Sequence, residues 1–334
     1  MALIPLTRPY VRRKEWDKAL ELMMNDQWTP GEQTERLARD FARSWSTSEA
    51  WCFGSESTAM RFLWRSLRLL PGDKVILSPL ASPLWALILE EYEAIPLWAD
   101  TLADCPVLDL NSVKRLLEQN PRAVICDTSL GFLPDLNSLK SLGIFFIEDI
   151  TQGWGGVRDQ IPAGLGGDAV FMSLGKESLI TAGRGAVLGV RSHKHLESFF
   201  VRKPLTEDLL PPPNAALALG LWPQKEEFAE KRKEHRGRLF QKLAKSHRQP
   251  HQEGDSDIVP PWFSLILVQG AREAQAYAER KGVECRAAFP VSAAPLAECP
   301  NARYLALHTL IFPLPVVLTA KEEETLGKVL ATLP

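Results

Sequence analysis

The chain has 334 residues, of which 45% are hydrophobic and 24% are charged, and its formal net charge is −2. A chain of this size can bury a large core or two domains that share one. Its mixed-sign charge gives no electrostatic footprint for nucleic acid or for an anionic membrane. The longest apolar stretches are shorter than the roughly 18 residues of a membrane helix, and the start lacks the basic-then-apolar order of a secretory signal. We therefore expect a cytoplasmic protein that handles small molecules or protein partners.

The cysteines and histidines do not indicate a metal site. The cysteines lack any Cys-x-x-Cys pair, which argues against zinc and against a disulfide framework, and we interpret all five as buried or incidental thiols: Cys52, Cys105, Cys126, Cys285 and Cys299. His193 and His195 fit one face of a strand or a solvated helix start, and the pair lacks a third ligand. No metal is predicted.

The first two thirds of the chain have the pattern of an α/β domain. Three helical patterns occupy about residues 13–70, and Pro71-Gly-Asp ends the third. Short apolar runs separated by helical stretches follow, which is typical of buried strands in a mostly parallel sheet. These predicted strands begin at Lys74, Ile95, Ala123, Ile144, Ala169 and Ala186.

The remainder has a different organisation. The cluster Pro211-Pro-Pro213 interrupts the pattern, and a long charged helical segment is predicted from about Asn214 to His247. Its interleaved glutamates favour a solvated face over a polyanion site. A polar loop over 248–258 and a small α+β unit are predicted beyond it, with strands over about 262–268 and near 285 and 309, and helices over about 271–281 and 320–332. We expect a large domain over 1–210, with an N-terminal helical arm, and a second unit over 211–334.

Two motifs resemble those of the DegT/StrS-type sugar aminotransferases. The run Phe145-Phe-Ile-Glu-Asp149-Ile-Thr-Gln152 is similar to the family's Glu-Asp-x-x-Gln strand end. The run that begins at Ser173 is similar to its Ser-Phe-x-x-x-Lys motif with paired glycines. The likeness extends from Ile4-Pro-Leu-Thr-Arg-Pro-Tyr10 to Pro313-Leu-Pro-Val-Val-Leu-Thr-Ala-Lys-Glu-Glu. It implies the fold type I of the transferases that depend on pyridoxal phosphate (PLP), with a mostly parallel, seven-stranded sheet in a large α/β domain and a small α+β C-terminal domain.

The resemblance assigns roles to residues of both motifs. Asp149 takes the place of the carboxylate that pairs with the cofactor's ring nitrogen, Gln152 lies near the ring, and Ser173 matches a phosphate-contacting serine. The position of the family's lysine is occupied by Ser178, and a hydroxyl cannot form the Schiff base that holds and activates this cofactor. Lys176, two residues earlier, is a possible substitute on a reshaped loop. Because a buried carboxylate without partners is costly, hydrogen-bonding or cationic groups should face Asp149.

The family's phosphate cup is altered here. Relatives use a Ser-Gly-Thr turn at a helix N-terminus, which favours an anion, whereas this chain has Ser55, Glu56 and Ser57. A glutamate adds a negative charge beside a phosphate, and at a few ångströms that repulsion is about 4 kcal/mol at an effective dielectric constant near 20. Glu56 avoids most of it if it turns to solvent. The family's ring-stacking aromatic aligns with Pro83, for which Trp85 is a candidate substitute.

Two further positions depart from the family pattern or remain ambiguous. The Asn-x-Arg that relatives present from a neighbouring subunit aligns with Leu209 and Pro211, so this contact is missing. Arg184, within a retained glycine turn, is either a solvated surface residue or an anion ligand.

The coordinated losses suggest a degenerate family member, a pseudoenzyme that binds PLP or pyridoxamine phosphate (PMP) without a covalent bond or not at all. It would act as a non-catalytic or partner subunit, or as a binder of a nucleotide sugar, in nucleotide-sugar or polysaccharide biosynthesis. The alternative is an active aminotransferase, or a PMP-dependent dehydratase, with a rearranged site that uses Lys176. The family implies a homodimer, or a heterodimer with a related aminotransferase.

Overall fold

The computed structural model describes residues 3–191, 203–243, 248–251, 255–267, 269–289 and 295–334. Its α-helices are α1 (Arg13–Met24), α2 (Glu32–Trp45), α3 (Glu56–Ser66), α4 (Pro83–Glu91), α5 (Leu110–Leu116), α6 (Leu136–Ser141), α7 (Pro212–Leu221), α8 (Lys225–Gln241), α9 (Ala271–Arg280), α10 (Pro300–His308) and α11 (Ala320–Ala331).

The strands are β1 (Glu49–Phe53), β2 (Lys74–Leu77), β3 (Ile95–Trp98), β4 (Thr101–Leu102), β5 (Cys105–Leu108), β6 (Ala123–Asp127), β7 (Phe146–Asp149), β8 (Val157–Arg158), β9 (Ile161–Pro162), β10 (Ala169–Ser173), β11 (Ala186–Val190), β12 (Ser256–Asp257), β13 (Trp262–Ile266), β14 (Arg286–Ala287) and β15 (Thr309–Pro313).

The main sheet has seven strands in the order β1-β11-β10-β7-β6-β2-β3. The pairs from β10 to β3 are parallel, whereas β11 is antiparallel to both β10 and β1. The sheet is thus mostly parallel, and the predicted α/β fold class is confirmed.

Side chains alternate between the two faces of this sheet, as strand geometry requires. On β10, Val170 packs with α2 residues Phe41 and Trp45, while the next residue, Phe171, packs on the other face with Trp64 and Trp85. Both faces are buried under helices, which explains why the strands have continuous apolar sequences.

The carboxyl ends of three neighbouring parallel strands meet at one edge of the sheet. β6 ends at Asp127, β7 at Asp149 and β10 at Ser173, and Asp127 and Asp149 are direct register partners. In open α/β sheets this edge is where ligands bind. Several polar side chains lie together at this edge.

The C-terminal part forms its own small layer of strands and helices. Its sheet has the antiparallel order β13-β15-β14, and α9 and α11 contribute Ala278 and Leu326 to its core. The N-terminal segment joins this layer, because Ile4 pairs with Val283. The proposed division at residues 210 and 211 stays a prediction.

Four local features differ from the predictions. β1 was not predicted, because this short run lies between two helices, and it forms an edge strand paired with β11. The helix expected over Asn214–His247 is two helices, because Pro223 lacks a backbone N–H and interrupts the segment between α7 and α8; residues 244–247 are outside the described part. The polar loop contains the short strand β12, and α10 was not predicted.

Other expectations can be checked only where the structure describes the chain. All five cysteines are buried and free, and within the described ranges no group of three or more potential ligands could hold a metal ion. His193 and His195 lie outside the described residues. No helix in the described part is long and apolar enough to cross a membrane.

The glycine turn before β11 provides a test of this packing. Gly185 has φ +101°, and a Cβ atom there would lie 2.6 Å from the carbonyl oxygen of Phe53. Gly185→Ala should therefore lower the free energy of unfolding by about 2–5 kcal/mol, from strain and overpacking. Gly237→Ala in α8, where a Cβ meets nothing within 4 Å, should instead raise it by about 0.5–1 kcal/mol. Urea unfolding of both variants checks the prediction, and equal effects would contradict it.

Candidate functional site

A cleft of about 290 Å³ opens at the carboxyl edge of the sheet. It brings together most of the residues singled out from the sequence: Glu56, Asp149, Gln152, Ser173, Lys176 and Ser178. Ser55, Ser57 and Trp85 are not among the described residues that line it. Among the described residues, four carboxylates line the cleft, namely those of Glu56, Asp127, Asp149 and Glu177. The described lining contains one cation, Lys176.

Asp149 lies at the floor of the cleft with both carboxylate oxygens hydrogen-bonded. The indole Nε1 of Trp85 donates to Oδ2 over 2.8 Å, while the backbone N–H and the hydroxyl of Thr151 donate to Oδ1 over 3.1 and 2.6 Å. The expectation that hydrogen-bonding groups face this carboxylate is confirmed. Burial nevertheless raises the pKa of Asp149, although these hydrogen bonds act in the opposite direction.

Trp85 has a different position from the one expected of a ring-stacking residue. Pro83 begins α4, and the turn of helix after it directs Trp85 inward, where it is completely buried between Trp64 and Phe171. It supports Asp149 from behind the cleft and does not stack over it. The interpretation of Trp85 as a substitute stacking residue is therefore corrected.

Gln152 connects two neighbouring loops at the cleft. Its side-chain oxygen accepts a 2.7 Å hydrogen bond from the backbone N–H of Leu130, a residue with positive φ in the turn that follows β6. Gln152 thus fixes the loop after the neighbouring strand, in addition to lining the cleft.

Ser178, which the resemblance aligns with the family's lysine, is buried. Its hydroxyl donates to the backbone carbonyl oxygen of Ser173, and it lies on the turn that connects β10 with β11. Lys176 is exposed on the same turn, and no hydrogen bond or ion pair joins it to another described residue. The neutral hydroxyl of Ser178 is therefore buried in the cleft, whereas the amine of Lys176 lies at its exposed rim.

Glu56 occupies the end of the cleft that the resemblance assigns to the cofactor's phosphate. Ser55 caps α3 by accepting a 3.1 Å hydrogen bond from the N–H of Thr58 and lies 3.1 Å from the hydroxyl of Ser57. Glu56 Oε1 accepts a 2.7 Å hydrogen bond from the hydroxyl of Ser173. The side chain thus turns into the cleft, not to solvent. Burial raises the pKa of Glu56, and the negative charge of Asp149 adds to this effect.

Asp127 is a site residue that sequence reasoning missed. It lines the cleft at 6% exposure; the backbone N–H and hydroxyl of Ser129 donate to its Oδ2, whereas Oδ1 has no hydrogen-bond partner among the described residues. Burial and, to a smaller extent, the charge of Asp149 raise its pKa to about 7. The available signal was that two predicted neighbouring strands both end in aspartate, and the ends of parallel strands share an edge.

The remaining candidate positions lie away from the cleft lining. Leu209 pairs with Phe53 beside β1, and Pro211 precedes α7 as its N-cap. Arg184 is exposed and donates a 2.9 Å hydrogen bond to the carbonyl oxygen of Gly54, which agrees with the reading of a surface residue.

The residues fit the ring of the implied cofactor better than its phosphate. A hydrogen-bonded carboxylate at Asp149 suits a protonated ring nitrogen. At the other end, however, the hydroxyl that would donate to phosphate already donates to the Glu56 carboxylate, and a dianion beside this charge is strongly disfavoured. In this arrangement the end of the cleft at Glu56 and Ser173 does not fit a phosphate group.

The hydrogen bond between Trp85 and Asp149 can be tested with a matched pair of variants. Trp85→Phe removes the donor to Oδ2, which should cost about 1–3 kcal/mol beyond the loss of packing. Trp64→Phe is the control, because Trp64 is equally buried and its indole N–H has no partner among the described residues. Chemical unfolding should show the larger loss for Trp85→Phe; equal losses would mean that the hydrogen bond contributes nothing.

The raised pKa of Asp127 predicts a pH dependence of stability. Between the ordinary value of 3.8 and the folded value of about 7, the folded protein keeps a proton that the unfolded chain has released. The free energy of unfolding therefore falls as pH rises through this window and levels off above it, and about three pKa units correspond to about 4 kcal/mol.

Asp127→Asn should remove this part of the decline, as measured by urea unfolding between pH 4 and 8. The exposed Asp17 in α1 is the matched control, and Asp17→Asn should keep the wild-type slope. An unchanged slope in Asp127→Asn would contradict the assignment.

Comparison with known proteins identifies relatives of this chain. GDP-perosamine synthase of Escherichia coli O157:H7 is 22% identical over 321 residues, 89% of this chain and 87% of that enzyme. GDP-perosamine synthase of Vibrio cholerae is 23% identical over 192 residues; this match includes 56% of the chain and about half (52%) of the enzyme's length.

Solved structures with the same fold include Spr1654 from Streptococcus pneumoniae in its PMP form, with a TM-score of 0.88 at 16% identity over 99% of this chain and 97% of that one. Another is the E. coli GDP-4-keto-6-deoxy-D-mannose-3-dehydratase with bound hydrated PLP, with a TM-score of 0.86 at 17% identity over 99% and 100% of the chains. Residues 9–201 match the DegT/DnrJ/EryC1/StrS aminotransferase family. Since this match spans more than half of the chain, the protein belongs to that family.

Proposed function

We propose that this protein is a family member that forms no covalent bond with a cofactor. It works in nucleotide-sugar or polysaccharide biosynthesis as a non-catalytic or partner subunit, or as a binder of a sugar or of the free cofactor. The observation that carries the proposal is the buried hydroxyl of Ser178, which is hydrogen-bonded to the carbonyl oxygen of Ser173 at the position of the family's lysine.

The chemistry of the cleft supports this proposal. Serine has no amine to link to an aldehyde, and its hydroxyl is a poor base at neutral pH. Family membership and the PMP and PLP forms of relatives indicate PLP or PMP as the ligand class. The ring end suits that class, whereas Glu56 opposes its phosphate. Both features favour weak, non-covalent binding over a stable internal linkage.

The partners and substrate are part of the same proposal. The names of the two GDP-perosamine synthases and of the E. coli dehydratase refer to GDP-linked sugars, so the ligand class proposed here is a nucleotide sugar. A homodimer, or a heterodimer with a related aminotransferase, follows from the family. In a heterodimer, the partner would supply the amine chemistry that Ser178 cannot.

A second candidate is an active PLP- or PMP-dependent aminotransferase or dehydratase that uses Lys176. One observation favours it: Lys176 lines the same cleft, and no described residue forms an ion pair or hydrogen bond with it. Its amine is thus available at the rim. Against it, Lys176 is exposed, so its amine would have to leave water to reach the ring.

Reductive trapping separates the two candidates. After incubation with PLP and reduction with borohydride, peptide mapping of the wild type should show no more adduct on Lys176 than on the exposed Lys14. Selective labelling of Lys176 that Lys176→Ala abolishes would contradict the proposal and support the enzyme. Glu56→Gly combined with Ser178→Lys is the positive control and should gain an adduct at residue 178, because it restores both the amine and the open cup.

A further inference from the structure

We infer that Glu56 is a built-in substitute for the phosphate of a ligand and that it opposes the binding of a ligand phosphate at the N-terminus of α3, beside Ser173. The inference rests on the proposed function in one respect, namely that the ring end of the cleft is a ligand site. It concerns the other end, where the side chain of Glu56 competes with an external anion.

The hydroxyl of Ser173 takes part in two hydrogen bonds within the chain. Its hydroxyl oxygen accepts a 3.0 Å hydrogen bond from the N–H of Gly175, and its proton is donated to Glu56 Oε1 over 2.7 Å. A hydroxyl has one proton to donate. A phosphate oxygen can receive the hydrogen bond of Ser173 only if the glutamate gives it up.

Glu56 also lies at the N-terminus of α3. It is the first residue of an 11-residue helix whose N-cap is Ser55, and the first N–H groups of a helix have no partner within it and favour negative charge. The hydroxyl of Ser55 accepts a hydrogen bond from the backbone N–H of Thr58. The acidic side chain thus supplies the negative charge for this helix end from within the chain.

The charge of the cleft also opposes a phosphate. Asp127, Asp149 and Glu177 line it together with Glu56, and burial together with the charges of Asp149 and Glu177 raises the pKa of Glu56. A phosphate dianion would add to this concentration of like charge, whereas a neutral or amine-bearing ligand would not. This end of the cleft therefore favours ligands that place no phosphate beside Glu56.

The test compares pyridoxamine with pyridoxamine phosphate, which differ only in the phosphate. Neither has an aldehyde, so binding is non-covalent in every variant and independent of any lysine. Dissociation constants are measured by calorimetry for the wild type, Glu56→Gly and Glu56→Ala. The wild type should bind pyridoxamine phosphate no more tightly than pyridoxamine, whereas both variants should bind the phosphorylated form at least tenfold more tightly than the wild type does.

Three further variants separate occupancy from charge. Glu177→Gln removes the same charge from the same cleft without freeing Ser173, because Glu177 interacts with Arg286 and not with that hydroxyl; its effect should stay below about threefold. Glu56→Gln keeps the shape of the side chain and should give an intermediate gain. Adding Ser173→Ala to Glu56→Gly should abolish the gain, since the freed hydroxyl is then missing.

The outcomes distinguish this inference from the proposed function. Wild-type protein that prefers pyridoxamine phosphate tenfold, or Glu56→Gly that gains no affinity for it, would overturn the inference. Selective trapping of Lys176 with PLP would instead overturn the proposed function. The role of Glu56 would then still be decided by the ratio of the affinities for pyridoxamine and pyridoxamine phosphate. An effect of Glu177→Gln equal to that of Glu56→Gly would show that overall charge, and not occupation of the cup, controls binding.

Discussion

The buried carboxylate of Asp149 is the constraint on which the rest of the site depends. A carboxylate removed from water must be hydrogen-bonded or neutralised, and here Trp85 and Thr151 supply donors from within the chain. These donors keep the carboxylate in position at the end of β7 without any ligand. They also tie the cleft to the aromatic core behind it, because the indole that donates to Asp149 packs between Trp64 and Phe171.

At the opposite end of the cleft, a second carboxylate is also hydrogen-bonded within the chain. A helix N-terminus and a serine hydroxyl form a cup that favours an anion, and Glu56 provides a carboxylate from within the chain. Ser178 likewise turns its hydroxyl to the backbone of Ser173. Both side chains are thus hydrogen-bonded within the protein itself. These internal hydrogen bonds are consistent with the proposed loss of covalent chemistry.

Much of the fold could be predicted because buried parallel strands have continuous apolar sequences, and six of the seven strands of the main sheet were found in this way. β1 was missed because a short edge strand between helices has no periodic signal of its own. The break at Pro223 was missed because residues with helical spacing lie on both sides of it, apolar ones in α7 and mostly charged ones in α8.

The candidate site was predicted by residue but not by orientation. Spacing identified Asp149, Ser173 and Ser178, and the cleft gathers all three. Spacing could not show that Glu56 turns inward or that Trp85 lies behind the cleft, because both depend on which hydrogen-bond partners the folded chain brings near. Asp127 was missed for a similar reason: its proximity to Asp149 is created by the strand register.

The proposed function requires that no lysine forms a covalent bond with PLP in the cleft. A crystal structure of the protein grown with PLP tests it most directly. The account predicts that the hydroxyl of Ser178 stays on the carbonyl oxygen of Ser173, and that no electron density connects a ligand to the protein. Continuous density between the ligand's aldehyde carbon and a lysine side chain, above all that of Lys176, would contradict it.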